Sequence, residues 1–343
     1  MASKRSVLII YTGGTIGMVK EPETSLLKPM DFDHLYKQVP EIKSMDLNLS
    51  TIAFDTPIDS SNMSPEIWSN IAGIVANNYE KHDGFVILHG SDTMAFTASA
   101  LSYMLENLGK PVILTGSQLP IGVLRTDGKE NFITAIEIAS AYHNDKPIVP
   151  EVAVYFEYQL FRGNRVHKYN AEHFDAFRSP NYPALAEAGV NIYYDKNAIA
   201  KLPTKSFKLH QNLDSNIAIL KLFPGINNNT IKSILSIKGL KGIVLESYGS
   251  GNVPLNNSLI ETLKQADEKN IIVYNVTQCN SGRVESGKYA TNKELIKTGV
   301  VNGADITTEA AVTKLMFLLG QRLSVTEIKK QLTISLRGEL TIK

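Results

Sequence analysis

The stretch Ser6 to Gly17, S-V-L-I-I-Y-T-G-G-T-I-G, places the tightest limit on how this chain folds. Val7, Leu8, Ile9, Ile10 and Tyr11 are consecutive β-formers, and two glycines end the run at once. It therefore reads as a strand rather than a helix. The run has no apolar–polar alternation, so both of its faces are buried, as in a parallel sheet covered by helices. Ligands of such sheets bind beyond the carboxyl ends of the strands. Here that end carries Thr12 and Thr15 around Gly13 and Gly14. Paired glycines let the backbone turn sharply and let a small ligand come close. Taken alone, the fragment also reads as a plain strand-to-loop turn in which the threonines satisfy local backbone groups.

The pattern recurs. Gly84 to Leu88 is a second apolar run, followed directly by His89-Gly90-Ser91-Asp92-Thr93. A helix then begins, with Met94, Ala98, Leu101, Leu105 and Leu108 on one face. Ser91, Asp92 and Thr93 thus sit where a strand ends and a helix starts. A helix N-terminus offers unpaired N–H groups and a positive dipole end, which stabilise an anion or a transient oxyanion. Ser91 or Asp92 also fits a simple N-cap. Lys110 to Leu114 reads as a third strand and ends in Thr115-Gly116-Ser117-Gln118.

Between these strands the chain is less informative. Glu21 to Pro29 fits either a cover over the glycine turn or an ordinary connection. A helix is expected around Phe32 to Gln38 and a strand around Leu47 to Phe54. Pro57 to Ser64 reads as a polar loop. Ser64-Pro65-Glu66 reads as the start of a helix reaching about Tyr79. Asp59, Ser60 and Ser61 fit hydrogen bonding to a polar ligand or turn formation. Asp127 to Tyr142 reads as a helix and Glu151 to Tyr158 as a strand. Phe161 to Lys168 is then basic, either as a solvated hairpin tip or as the source of a cation that reaches the crevice. A lysine there can pair with Asp92, or act as a base if desolvation lowers its pKa.

The regular pattern lapses over Lys196 to Asp214, which reads as a linker. Domains over residues 1–195 and 215–343 follow. In the second, Ile217 to Leu222, Gly242 to Leu245 and Ile271 to Val276 read as parallel strands. Ile231 to Ile237 and Leu259 to Ala266 are the helices between them. Thr308 to Leu319 and Val325 to Leu336 add two terminal helices. Strand alternating with helix on both sides of the linker implies two α/β domains.

Composition narrows the chemistry. The formal net charge is +1, which provides no field for nucleic acid. Cys279 is the single cysteine, so no intramolecular disulfide forms, and a reducing, cytoplasmic setting is expected. No stretch is long and apolar enough to span a membrane. Lys4 and Arg5 precede an apolar run too short for a signal peptide. There is no G-x-x-x-x-G-K-[ST], no G-x-G-x-x-G after the first strand, no zinc-ligand spacing and no G-x-S-x-G. No cofactor or metal is expected. What remains is hydroxyls at strand ends, an aspartate beside one of them and a candidate lysine. Acyl transfer needs a nucleophile, a base and an oxyanion site. Thr15, the Ser91/Asp92 pair, Lys168 and helix N–H groups can supply these if they meet.

Carried by T-G-G-T-I-G at Thr12 to Gly17 and H-G-S-D-T-M-A at His89 to Ala95, the sequence resembles the two threonine signatures of bacterial L-asparaginases. The likeness to the cytoplasmic type I branch runs over nearly the whole chain. It includes D-S-S-N-M at Asp59 to Met63, S-A-L-S-Y-M-L-E-N-L-G-K-P-V-I at Ser99 to Ile113, T-G-S-Q, R-G-N-R, F-D-A-F, S-Y-G-S-G-N, N-V-T-Q-C and L-R-G-E-L. The resemblance implies hydrolysis of L-asparagine to L-aspartate and ammonia, with minor activity on glutamine. It points to Thr15 as the attacking hydroxyl and to Ser91, Asp92 and Lys168 as a second triad. The Ser91 N–H would help hold the oxyanion, and Asp92 would bind the α-amino group. Asp59, Ser60 and Ser61 would line the α-carboxylate end, with Gln118 and Asn252 completing the substrate set.

The same resemblance implies a larger N-terminal α/β domain with a flavodoxin-like or Rossmann-like parallel-rich sheet, a smaller C-terminal parallel α/β domain, and a homotetramer built from dimers, or a dimer. Three departures stand out. Ser91 replaces the usual threonine of the second signature. The lid tyrosine expected about ten residues after Thr15 is missing from Glu23-Thr24-Ser25-Leu26-Leu27. Glu246 stands where an arginine would help a regulatory asparagine site near Cys279 and His167, so that regulation is expected to be weakened or absent.

Overall fold

The computed structural model describes residues 4–20, 27–29, 37–254, 257–285 and 294–342. The chain forms two compact units, residues 1–211 and 212–343. In the first unit the principal elements are β1 (Ser6–Gly13), β2 (Asn48–Ile58), α1 (Pro65–Asn77), β3 (Gly84–Leu88), α2 (Met94–Met104), β4 (Val112–Thr115) and α3 (Gly128–Ala139). After them come β5 (Val152–Phe156), β6 (Gln159–Arg162), β7 (His167–Lys168), β8 (Phe177–Arg178), β9 (Ala186–Ala188) and β10 (Ile192–Tyr194).

Eight of these strands build a sheet in the order β10-β9-β6-β5-β4-β3-β1-β2, while β7 and β8 pair separately with each other. From β2 to β5 every neighbouring pair is parallel. The pairs β5–β6, β6–β9 and β9–β10 are antiparallel. Each residue of β3 and β4 is buried, as their unalternating apolar sequences require. One face of the sheet packs Val7, Ile9, Val86, Leu88 and Ile113 against Phe132, Ala135 and Ile136 of α3.

The short strands and helix ends differ from the sequence reading for identifiable reasons. The strand expected to reach Tyr158 stops at Phe156, because Glu157 and Tyr158 both adopt positive φ (44° and 67°) and turn the chain into β6. Paired left-handed residues are the geometry of a tight hairpin turn. Helix α2 ends at Met104, before Leu105 and Leu108. Leu105–Glu106 leaves the helix to pair with Lys208–Leu209. Both leucines remain buried, so the periodicity tracked the core and not the helix end. The expected loop at Pro57 begins as the last two residues of β2, an edge strand, where a proline costs no ladder bond. Helix α1 begins after Ser64 as its cap predicts. Residues 21–26 and 32–36, which carry the expected cover and most of an expected helix, lie outside the described residues. Met18–Lys20 and Leu27–Pro29 pair antiparallel.

The second unit contains β11 (Ile217–Lys221), α4 (Asn228–Leu235), β12 (Gly242–Ser247), α5 (Asn257–Glu268), β13 (Ile272–Thr277), β14 (Val301–Asn302), α6 (Thr308–Gly320) and α7 (Val325–Leu332). Its four strands form a parallel sheet in chain order. Its core packs Leu220, Ile243, Leu245 and Val273 against Ile231, Leu235, Leu259 and Leu263. Helix α7 stops at Leu332, short of the expected Leu336. Lys314 Nζ donates to Leu332 O (3.1 Å) and Ile334 O (2.6 Å), and Tyr274 donates to Leu332 O (3.0 Å). Carbonyls that a longer helix would use are thus taken by side chains. The same Lys314 pairs with Glu339 at 2.7 Å, both fully buried. No helix among the described residues is long and apolar enough to cross a membrane.

Candidate active site

The carboxyl ends of β1, β3 and β4 converge, and the loops that follow them line a cavity of ≈ 160 Å³. Its walls include Thr15, Asp59, Ser60, Ser91, Asp92, Gln118 and Lys168. Met18 and Ala171 also line it. Neither carries a chemical signal in the sequence, because a single apolar side chain resembles many others.

Each wall has a local cause. Thr12 Oγ1 donates to Leu88 O (2.9 Å) and ties β1 to β3, so Thr12 is spent structurally while Thr15 is presented to the cavity. Gly13 and Gly14 have φ of 128° and 87°, and a Cβ on Gly14 would collide with the backbone of His89 and Gly90. The first two loops therefore approach as closely as backbones can. The Thr15–Gly17 turn follows as a short 3₁₀ segment.

Asp59 caps the Ser60–Asn62 turn by accepting from Ser61 N (2.9 Å). That backbone N–H holds its carboxyl below the usual carboxylate range. Ser60 is buried, and its carbonyl accepts from Thr93 Oγ1 (2.7 Å). Ser61 is exposed and is absent from the cavity wall. The N-cap of α2 is Thr93, with no side-chain cap bond, so neither Ser91 nor Asp92 serves as the cap.

Ser91 and Asp92 face Lys168 instead. Lys168 Nζ donates to Ser91 Oγ (2.8 Å) and to Asp92 Oδ1 (2.6 Å). The Ser91 hydroxyl donates in turn to Gln118 Oε1 (3.3 Å). The Asp92 side chain is 68% exposed and that of Lys168 is 16% exposed, so the pair sits at the cavity mouth with the ammonium inward.

The basic stretch before Lys168 is not a solvated tip. Arg162 grips Glu151 (Nε to Oε2 2.6 Å) and donates to Ala198 O (2.9 Å), and Arg165 is 2% exposed. Both guanidiniums lie over the Tyr182 ring, at 4.4 and 5.1 Å from its centroid. Of this segment, Lys168 is the cation that lines the cavity.

Behind the loops, His89 is fully buried. Its Nδ1 lies 2.6 Å from Gly90 O, which can only accept, so Nδ1 carries the proton. Its Nε2 accepts from Thr97 Oγ1 (2.8 Å), which accepts from Trp68 Nε1 (2.9 Å). Burial lowers the His89 pKa to about 4, so the ring is neutral at physiological pH and has a structural part. Asn252 belongs to the second unit, where it pairs with Tyr248 in a tight turn.

Comparison with known proteins gives a consistent result. The model of the asparaginase N-terminal domain matches residues 6–200, and that of the glutaminase/asparaginase C-terminal domain matches residues 216–332. L-asparaginase 1 of Escherichia coli K12 is 44% identical over 342 residues, covering 98% of each chain. The crystal structure of L-asparaginase I from Vibrio cholerae matches with a TM-score of 0.89 at 41% identity, covering 99% of this chain and 100% of that one. A probable cytoplasmic L-asparaginase from Campylobacter jejuni matches with a TM-score of 0.81 at 26% identity, covering 97% and 100%.

Proposed function

The chain belongs to the asparaginase family, and from that premise we infer that it hydrolyses the side-chain amide of L-asparagine, releasing L-aspartate and ammonia. The observation that carries the site assignment is that Thr15, Ser91, Asp92 and Lys168, far apart in sequence, line one polar cavity. Minor activity on L-glutamine follows, because one methylene is worth only about 1–3 kcal/mol of discrimination.

The proposed chemistry begins with Thr15 Oγ1 attacking the amide carbon. A C–O bond forms, the C–N bond breaks, and the hydroxyl proton ends on the departing nitrogen. Water then adds to the β-aspartyl ester and restores the Thr15 hydroxyl. Lys168, held between Ser91 Oγ and Asp92 Oδ1, places positive charge beside the second hydroxyl, where negative charge develops. The Asp92 carboxylate supplies an acceptor for the substrate ammonium. Ser60 and the Asp59 turn that holds it form the end of the cavity assigned to the α-carboxylate. Gln118 completes the wall.

A regulatory asparagine site near Cys279 is proposed to be weakened. Glu246 offers a carboxylate there, engaged by Thr308 Oγ1 (2.7 Å) and Lys221 (3.1 Å). Hyperbolic rather than sigmoidal dependence on asparagine is the expected kinetic form. The family likeness further supports a cytoplasmic enzyme that self-associates as a dimer or homotetramer, which light scattering resolves.

Ammonia release from L-asparagine and L-glutamine tests this reading. Wild-type protein should release ammonia from asparagine in clear excess over glutamine. Thr15→Ala should lose about 10⁴-fold in kcat, as loss of a nucleophile does elsewhere. Folded wild-type protein that releases nothing from either amide would sink the assignment.

A further inference from the structure

Asp127 and Asn131, at the start of α3, lie outside the cavity wall yet are almost wholly buried. Asp127 stands at the N-cap position of the helix but makes no side-chain cap bond. Its carboxylate points to the preceding turn instead. It accepts from Gln118 N (2.9 Å to Oδ2, 3.2 Å to Oδ1) and from Leu119 N (3.1 Å). Burial raises its pKa, and the N–H groups of Gln118 and Leu119 oppose that shift. Asn131 Nδ2 donates to Gly116 O (3.0 Å) and lies 3.4 Å from Asp127 Oδ2. Its Oδ1 accepts from Glu157 N (3.1 Å), at the hairpin tip where Glu157 and Tyr158 hold positive φ. The two side chains thus tie together the 116–119 turn, which carries Gln118, and the β5–β6 hairpin, which leads on to Lys168.

Gln118 has three rotatable side-chain bonds and needs such support. Its backbone is held by Asp127, and its Nε2 donates to His173 O (3.0 Å). Its Oε1 is then left to accept from the Ser91 hydroxyl (3.3 Å). Serine lacks the β-methyl that stiffens χ1 in threonine, so the direction of Ser91 Oγ must be set by its partners. Those partners are Lys168 on one side and Gln118 on the other.

We propose that Asp127 and Asn131 are positioning residues for the amide hydrolysis, acting through Gln118 to aim the Ser91 hydroxyl. The proposal rests on the reaction inferred above. It predicts that Asp127 acts on the reaction only by way of Gln118.

A double-mutant cycle on ammonia release from L-asparagine tests it, with amide hydrogen exchange at Gln118 and Leu119 measured alongside. Asp127→Ala and Gln118→Ala should each lose about 10–100-fold in kcat, with KM changed less than kcat, as for a misplaced catalytic group. The double variant should fall within about threefold of the worse single variant, because both break one chain of contacts. Exchange at Gln118 and Leu119 should accelerate in Asp127→Ala. The isosteric Asp127→Asn keeps the packing and one acceptor oxygen. It should recover part of the activity, and it carries the same test where the alanine variant does not fold. An active wild type with unaffected Asp127→Ala, or losses that multiply in the double variant, overturns the proposal alone. Wild-type protein that releases no ammonia overturns the reaction and the proposal together.

Discussion

The two units share an architecture and use it differently. Both have neighbouring parallel strands that end in hydroxyl- and amide-bearing residues. In the second unit those groups are consumed by the chain itself. Ser247 Oγ donates to Val276 O (3.1 Å), Thr277 Oγ1 to Gly249 O (2.5 Å), and Gln278 Nε2 to Leu222 O and Glu246 O (2.6 and 2.8 Å). In the first unit only part of the set is consumed. Thr12 donates to Leu88 O and Thr115 to Tyr155 O, both at 2.9 Å, while Thr15 and Ser91 face a cavity. A polar strand end is therefore not a site in itself. It becomes one where tight glycine backbones open a space and the hydroxyl's partners are other side chains rather than main-chain carbonyls.

The contrast can be broken by mutation. After Thr15→Ala, the largest effect is expected at Ser91→Ala, which should lower the ammonia-release rate about 10³-fold, in the range of lost acid–base or hydroxyl chemistry, with little change in Tm. Next is Lys314→Met in the second unit. Its ammonium pairs with Glu339 and holds that carboxyl below the usual range. Removing one partner strands a buried charge, so a loss of about 3–5 kcal/mol is expected in urea unfolding.

His89 comes third. Its pKa falls from 6.5 in the unfolded chain to about 4 in the fold, so the unfolded state binds the extra proton between those values. Its contribution is therefore complete above pH 6.5 and is lost as pH falls toward 4, by up to about 3 kcal/mol. Unfolding curves across that window should show a weaker pH slope in His89→Gln. Smallest is Ser247→Ala, the counterpart of Ser91→Ala. It should cost about 1 kcal/mol of stability and leave activity near wild type. A large activity loss there, or a large stability loss at Ser91, would undo the distinction between the units.

Much of this was legible in the chain. The unalternating runs at Val7–Tyr11 and Gly84–Leu88 are buried parallel strands, because a residue run with no polar face has nowhere else to go. The Ser64-Pro65-Glu66 start is where α1 begins. Element ends were less legible. The 3.6-residue spacing continues through Leu105 and Leu108 although α2 stops at Met104, since burial outlasts the helix. The stop of α7 at Leu332 depends on Lys314 and Tyr274, distant side chains that no local pattern records.

The same division holds for the site. Sequence alone determined which groups are available: hydroxyls beside glycines at strand ends, an aspartate next to one of them, and a basic segment with a lysine. Those are local chemistry, and local chemistry is written in residue order. Tertiary structure decided which of them meet. It buried Arg162 and Arg165 against Tyr182 and sent Lys168 to Ser91 and Asp92. It exposed Ser61 and spent its N–H on Asp59. It turned the Asp127 carboxylate, at the start of α3, onto the backbone N–H of Gln118. Hydrogen bonds across many tens of residues settle those choices, and their free energy depends on burial and geometry that exist only once the chain has folded.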